Sequence, residues 1–235
     1  MLTKIRQWLQ AAAHVAMPRE CAVCRKALDA DESWLCRKCL AALPRTRFEE
    51  VDFNTMEQLF AGKVPIERAT AYFYYEKGAP YSSILHDIKY HSLPEMGLWL
   101  AAHAVDDMAG SGFFDGIDAV TAVPLHRSKL ARRGYNQSEY LARGIAQALG
   151  VPYIEVLKAV RPHSTQTRKG ALERWLNIQG NYALRGDGSA LSGKHILLVD
   201  DVVTTGSTLT VCATLLKSIP GVQVSIFTLS AARLE

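Results

Sequence analysis

No stretch of this sequence stays apolar for the ~20 residues that a membrane-spanning helix needs. Neither sign of charge dominates: 27 Lys and Arg stand against 23 Asp and Glu, a net charge of +4. Such mild basicity permits an anionic partner, phosphate or nucleic acid, without requiring one. Internal repeats and low-complexity tracts are missing, which excludes solenoid architectures. No GxxxxGK[ST] motif occurs, so the chain has no Walker-type phosphate loop. The first sixteen residues lack a long apolar core and a small-residue cleavage site, so no secretory signal is expected. They do place Ile5, Trp8, Leu9, Ala12 and Val15 at helical spacing. That face either docks on the protein's own body or lies at a membrane surface. The expected location is cytoplasmic, with a peripheral site at the inner membrane as the alternative. With 49% hydrophobic and 21% charged residues, the chain is too apolar to be disordered and reads as globular.

Cysteine is scarce and uneven. Four of the five form two CxxC pairs, Cys21/Cys24 and Cys36/Cys39, with eleven residues between them. Two such knuckles supply a tetrahedral set of thiolates, which suits structural Zn²⁺. The intervening RKALDADESWL holds too little apolar content to fold alone, so the metal would supply folding energy. Two disulfides fit poorly with a chain lacking an export signal, and a redox CxxC would not need a matching second pair. Cys212, within the apolar LTVCATLL, reads as a core residue.

Residues 40–65, with Pro44, Gly62, Pro65 and mixed charge, read as a linker. Beyond them strands and helices alternate. Strands are expected over 69–75, 117–123, 151–157, 195–201 and 222–230, and helices over 81–90, 95–108, 137–149 and 207–218. Several of the strands are apolar throughout, which points to an α/β fold with a parallel sheet covered on both faces.

The most informative run is Ile196-Leu-Leu-Val-Asp200-Asp201-Val202-Val203-Thr204-Thr205-Gly206-Ser207-Thr208. A buried strand delivers two carboxylates to the sheet's carboxyl edge, where they can accept hydrogen bonds from vicinal ribose hydroxyls. A hydroxyl-rich turn then opens a helix whose free N–H groups and dipole suit a 5′-phosphate. Paired acids or a Ser/Thr-rich helix start would be ordinary taken singly.

At this spacing the run resembles, residue for residue, the phosphoribosyl pyrophosphate (PRPP) signature of type I phosphoribosyltransferases. Further blocks resemble the ComF family of phosphoribosyltransferase-like competence proteins: Ala122-Val-Pro-Leu-His126 with Arg132-Arg133-Gly134-Tyr135-Asn136-Gln137; Ile88-Lys89-Tyr90; and Arg161, Gln166, Thr167, Arg174 and Asn177. The double CxxC matches that family's zinc ribbon.

The resemblance implies a type I phosphoribosyltransferase-like parallel sheet flanked by helices, with a small N-terminal zinc ribbon. Its domains would be residues 1–55, the amphipathic helix and ribbon, and residues 56–235. PRPP with Mg²⁺ would bind at Asp200–Thr208, with Asp200 and Asp201 on the ribose, Thr204 to Thr208 on the 5′-phosphate, and Lys89 nearby. Asp200, Asp201 and Arg133 would be the catalytic residues. Arg127, Arg132, Arg161, Arg168 and Lys169, the last three in a mobile loop, are further candidates for pyrophosphate. Lys129 and Lys158 read as solvated charges, Asn136 as helix cap or ligand contact, and His86, His91 and His126 as structural or, alternatively, as an acid or base. Tyr135, Trp175 and Tyr182 could stack on nucleic acid.

The chain would then be a phosphoribosyltransferase with an unknown acceptor, or a non-catalytic module that binds PRPP or a nucleotide. The family also implies a role in DNA uptake, receiving single-stranded DNA beside the inner-membrane competence machinery. Nothing in the sequence sets the oligomeric state.

Overall fold

The computed structural model describes residues 19–90, 93–160 and 180–233. Its main sheet has four parallel strands, β1 (Ala69–Tyr75), β2 (Ala119–Ala122), β5 (His195–Val203) and β6 (Gln223–Ala232), in the order β1-β6-β5-β2. A separate antiparallel hairpin pairs β3 (Leu157–Ala159) with β4 (Tyr182–Leu184). The helices are α1 (Arg37–Ala41), α2 (Thr55–Gln58), α3 (Ser82–Tyr90), α4 (Pro94–Asp107), α5 (Arg127–Arg133), α6 (Gln137–Leu149) and α7 (Ser207–Lys217).

β5 is buried continuously from Ile196 to Val199 because both of its faces are covered. Leu197 and Val199 join one core with Phe227 and with Ile88, Leu100, Leu141 and Ile145 from α3, α4 and α6. Ile196 and Leu198 join the other, with Leu209, Cys212 and Leu216 of α7 and with Met56 and Phe60. This two-residue alternation is what a strand between two helical layers requires.

Residues 40–65 are not a linker. The Asn54 side chain caps α2 in a reciprocal box with Glu57 and donates to the Ala69 carbonyl at 3.0 Å. Phe48, Met56, Phe60 and Val64 are buried, so this segment forms part of the layer over the sheet. The strand expected over 151–157 shrinks to a single bridge, Tyr153 against Val120. Pro152 has no N–H to donate, and the chain then leaves the sheet edge for the hairpin. The basic stretch 127–133 proves to be a helix, α5, closed by Gly134 in the left-handed region. The N-terminal amphipathic face, His91 and the loop 161–170 with its Arg161, Arg168 and Lys169 lie outside the described residues, as do Gln166, Thr167, Arg174, Trp175 and Asn177.

Candidate phosphoribosyl site

β5 pairs with β6 as far as Val203 but with β2 only as far as Val199. From Asp200 onward its β2 side therefore opens into a crevice. The connection after β2 passes to the α6 face and the one after β5 to the α7 face, so this is a topological switch point, where open α/β sheets bind ligands. The two carboxylates lie within the last turns of β5 rather than beyond its tip, because pairing with β6 carries the strand on through Val202 and Val203.

A cavity of about 400 Å³ fills the crevice, walled by Asp200, Asp201, Lys89, Lys129, Arg133, Thr208 and the loop Val123–His126. Asp200 accepts a hydrogen bond from the Ser138 hydroxyl at 2.7 Å and another from the Asp201 amide at 2.9 Å. Desolvation first, and the neighbouring Asp201 charge second, push the Asp200 carboxyl up to about 7. Asp201 is buried, and Lys89 reaches it with Nζ 3.0 Å from Oδ2. Burial, then Arg133 and Arg132, hold the Lys129 ammonium below its usual range.

The turn after β5 forms a smaller cavity of about 60 Å³, lined by Asp200 and by Val202 to Leu209. Thr204 and Thr205 are exposed, Ser207 and Thr208 half-buried. The N-terminus of α7 has no side-chain cap, leaving its first amides free for an anion. Gly206 is buried at φ 71°, a conformation that favours glycine. A Cβ there would meet Phe60 at 3.3 Å and Leu59 at 3.4 Å, so packing as well as backbone fixes the residue.

Arg133 reaches the cavity wall, while its Nη1 donates to Gln137 at 2.7 Å. Arg127 and Arg132 are exposed and lie off this cavity. Lys129, expected in solvent, lines it, because α5 turns that face inward. Asn136 occupies the cap position of α6 without capping it; its amide donates to the Val123 carbonyl at 3.0 Å and ties down the β2 loop. His126 caps α5 by accepting from the Ser128 amide. Tyr182 is buried and offers no stacking platform, whereas Tyr135 is half-buried with its hydroxyl tied to the Ile88 carbonyl. Ser138 carried no signal of its own: only the packing of α6 beside β5 brings it to Asp200.

The four ribbon sulfurs lie within 4.8 Å of one another. Zn–S bonds of about 2.3 Å imply tetrahedral edges of roughly 3.8 Å, and Cys24 and Cys36 stand 3.7 Å apart. Burial raises the Cys21 thiol, but amide hydrogen bonds from Cys24, Cys36 and Val23 outweigh it and bring the group down to about 7. The cluster thus fits a thiolate metal centre.

Comparison with known proteins adds relatives. The phosphoribosyl transferase domain model matches residues 136–233. Competence protein F of Haemophilus influenzae is 31% identical over 116 residues, 49% of this chain and 51% of that protein. DNA utilization protein YhgH of Escherichia coli K12 is 28% identical over 200 residues, 83% of each chain. The chain is thus similar to a competence protein and a DNA utilization protein, and carries a phosphoribosyl transferase domain in its C-terminal part. It spans about half to three fifths of the length of the first curated relatives it matches. Among solved structures, adenine phosphoribosyltransferase from Leishmania tarentolae aligns with a TM-score of 0.38 at 15% identity, covering 77% of this chain and 89% of that one. That likeness is too loose to build on; the strand order and the domain match carry the fold.

Proposed function

We propose that this chain binds PRPP with Mg²⁺ at the carboxyl end of β5 and acts in DNA uptake, where it handles incoming single-stranded DNA on the cytoplasmic side. The observation that carries the reading is the junction of two carboxylates with an uncapped helix start. Asp200 and Thr208 line both the crevice that holds Asp201 and the smaller cavity of the hydroxyl-rich turn. In this reading the 5′-phosphate takes the free amides of α7, and the ribose hydroxyls face the acids. The pyrophosphate meets Lys89, Lys129 and Arg133. Hard carboxylate oxygens suit Mg²⁺, which would neutralise the pyrophosphate charge when bound. Zn²⁺ held by Cys21, Cys24, Cys36 and Cys39 would be structural.

The names of the relatives, a competence protein and a DNA utilization protein, support the DNA role. No helix among the described residues is long and apolar enough to cross a membrane. Two activities fit the pocket: transfer of phosphoribose to an acceptor, for which we retain Asp200, Asp201 and Arg133 as the catalytic set, and binding of PRPP without turnover. Release of pyrophosphate from PRPP across a panel of bases and nucleotides separates them. Saturable PRPP binding without release leaves the binding module, and no PRPP binding at all removes the proposal.

A further inference from the structure

Next to the crevice lies a second compartment, also of about 400 Å³, lined by Lys89, Tyr90, Arg132 and Arg133. Lys89 and Arg133 form the wall shared with the Asp200/Asp201 cavity, whereas Tyr90 and Arg132 face this compartment alone. Its volume falls within the range of small-molecule sites.

Three features distinguish it from ordinary surface. Tyr90 is 58% exposed, among the few large apolar side chains that the fold leaves in solvent. Its ring lies under the Arg133 guanidinium, 5.4 Å from the ring centroid, and beside His86 at 5.1 Å between centroids. Two of the compartment's three cations lack an acidic partner. Lys89 pairs with Asp201, but among the described residues neither Arg132 nor Arg133 forms an ion pair, and although Arg133 donates to Gln137 its buried Nε has no hydrogen-bond partner. An aromatic face beside paired guanidinium groups recognises a planar ring that carries an anionic group. Pyrophosphate needs no such face, so this chemistry belongs to a second ligand.

We infer that the Tyr90/Arg132/Arg133 compartment is a nucleotide subsite: the base stacks on Tyr90 and its phosphate meets Arg132 and Arg133. The nucleotide comes either free or as a residue of a single strand, since both offer the same base and phosphate. The inference rests on the proposed function for the neighbouring ligand and deepens its nucleic-acid reading.

The test titrates the full chain with the four nucleoside 5′-monophosphates by calorimetry and with labelled oligothymidylate by anisotropy, at low salt. Each titration is done with and without saturating PRPP and Mg²⁺. The wild type should bind at least one probe in both conditions. Tyr90→Ala and Arg132→Ala should each weaken it about tenfold or more, the scale of a lost base stack, while Tyr90→Phe retains it. Mononucleotide binding assigns a free nucleotide; binding of the oligonucleotide alone assigns a strand. PRPP affinity should be the same in Tyr90→Ala as in wild type. Absence of binding by every probe, equal affinity in Tyr90→Ala and wild type, or complete displacement by PRPP would overturn the subsite. If PRPP itself does not bind, the proposed function fails, and the titrations without PRPP still decide this inference.

Discussion

Asp200 holds its proton up to neutral pH because desolvation and the Asp201 charge both disfavour its ionised form, and the Ser138 hydroxyl offsets them only partly. A carboxyl raised from 3.8 in the unfolded chain to about 7 in the folded one binds more protons when folded. Its contribution to stability is fully present below the unfolded value and is lost as pH rises through about 7. The limit of that loss is about 4 kcal/mol, from roughly 1.4 kcal/mol per pH unit. Asp200→Asn, which mimics the neutral acid, should therefore melt above wild type at pH 8 and converge with it near pH 4. Parallel melting curves across that range would mean that Asp200 ionises freely in the fold. Part of this residue chemistry was legible in the sequence: a buried strand, two acids and a Ser/Thr-rich turn are contiguous, so local spacing exposes them. Ser138 and Lys129 were not, because only the packing of α5 and α6 against the strand ends brings them to the crevice.

At the scale of elements, the site depends on how closely α6 approaches α4. Gly144 faces the α4 backbone, and a Cβ placed there would come within 2.2 Å of the Leu98 carbonyl oxygen. The N-terminus of the same helix presents Ser138 to Asp200 and Asn136 to the β2 loop. Gly144→Ala should push the helices apart at a cost of about 1–3 kcal/mol, a fall of several degrees in melting temperature for a chain of this size. Because Ser138 would move with α6, PRPP binding should weaken as well. A variant that melts and binds like wild type would show that the helices do not rely on this approach. Long, apolar strands and helices such as β5, β6, α6 and α7 could be read from periodicity. The edge segment 151–157 could not, because Pro152 and the hairpin β3–β4 redirect a β-prone run.

Across the molecule, the cysteine ribbon and the site meet on α3. Tyr81 donates to the Cys39 carbonyl and Ser83 to the Ala22 carbonyl, each at 3.0 Å, while Arg25 reaches the buried Asp87 at 3.4 Å. Two residues further on, Lys89 pairs with Asp201. Cys21, Ala22, Leu28 and Leu35 belong to the same buried cluster as Ile84, Leu85 and Ile88. Loss of the ribbon metal should therefore lower the melting temperature of the whole body in a single transition. Elemental analysis before and after chelation, combined with calorimetric scans, tests this. An unchanged main transition after stoichiometric metal loss would show that the ribbon is energetically separate.

The central claim is that Asp200 and Asp201 hold a phosphoribosyl ligand, and calorimetry with PRPP and Mg²⁺ tests it most directly. Hydrogen bonds to charged groups contribute about 1.5–3 kcal/mol each, so Asp201→Ala alone should weaken binding roughly tenfold to a hundredfold. A folded Asp200→Ala, Asp201→Ala double variant should show no measurable binding where the wild type saturates. Equal affinity in the two proteins would contradict the account and leave the turn after β5 as structure alone.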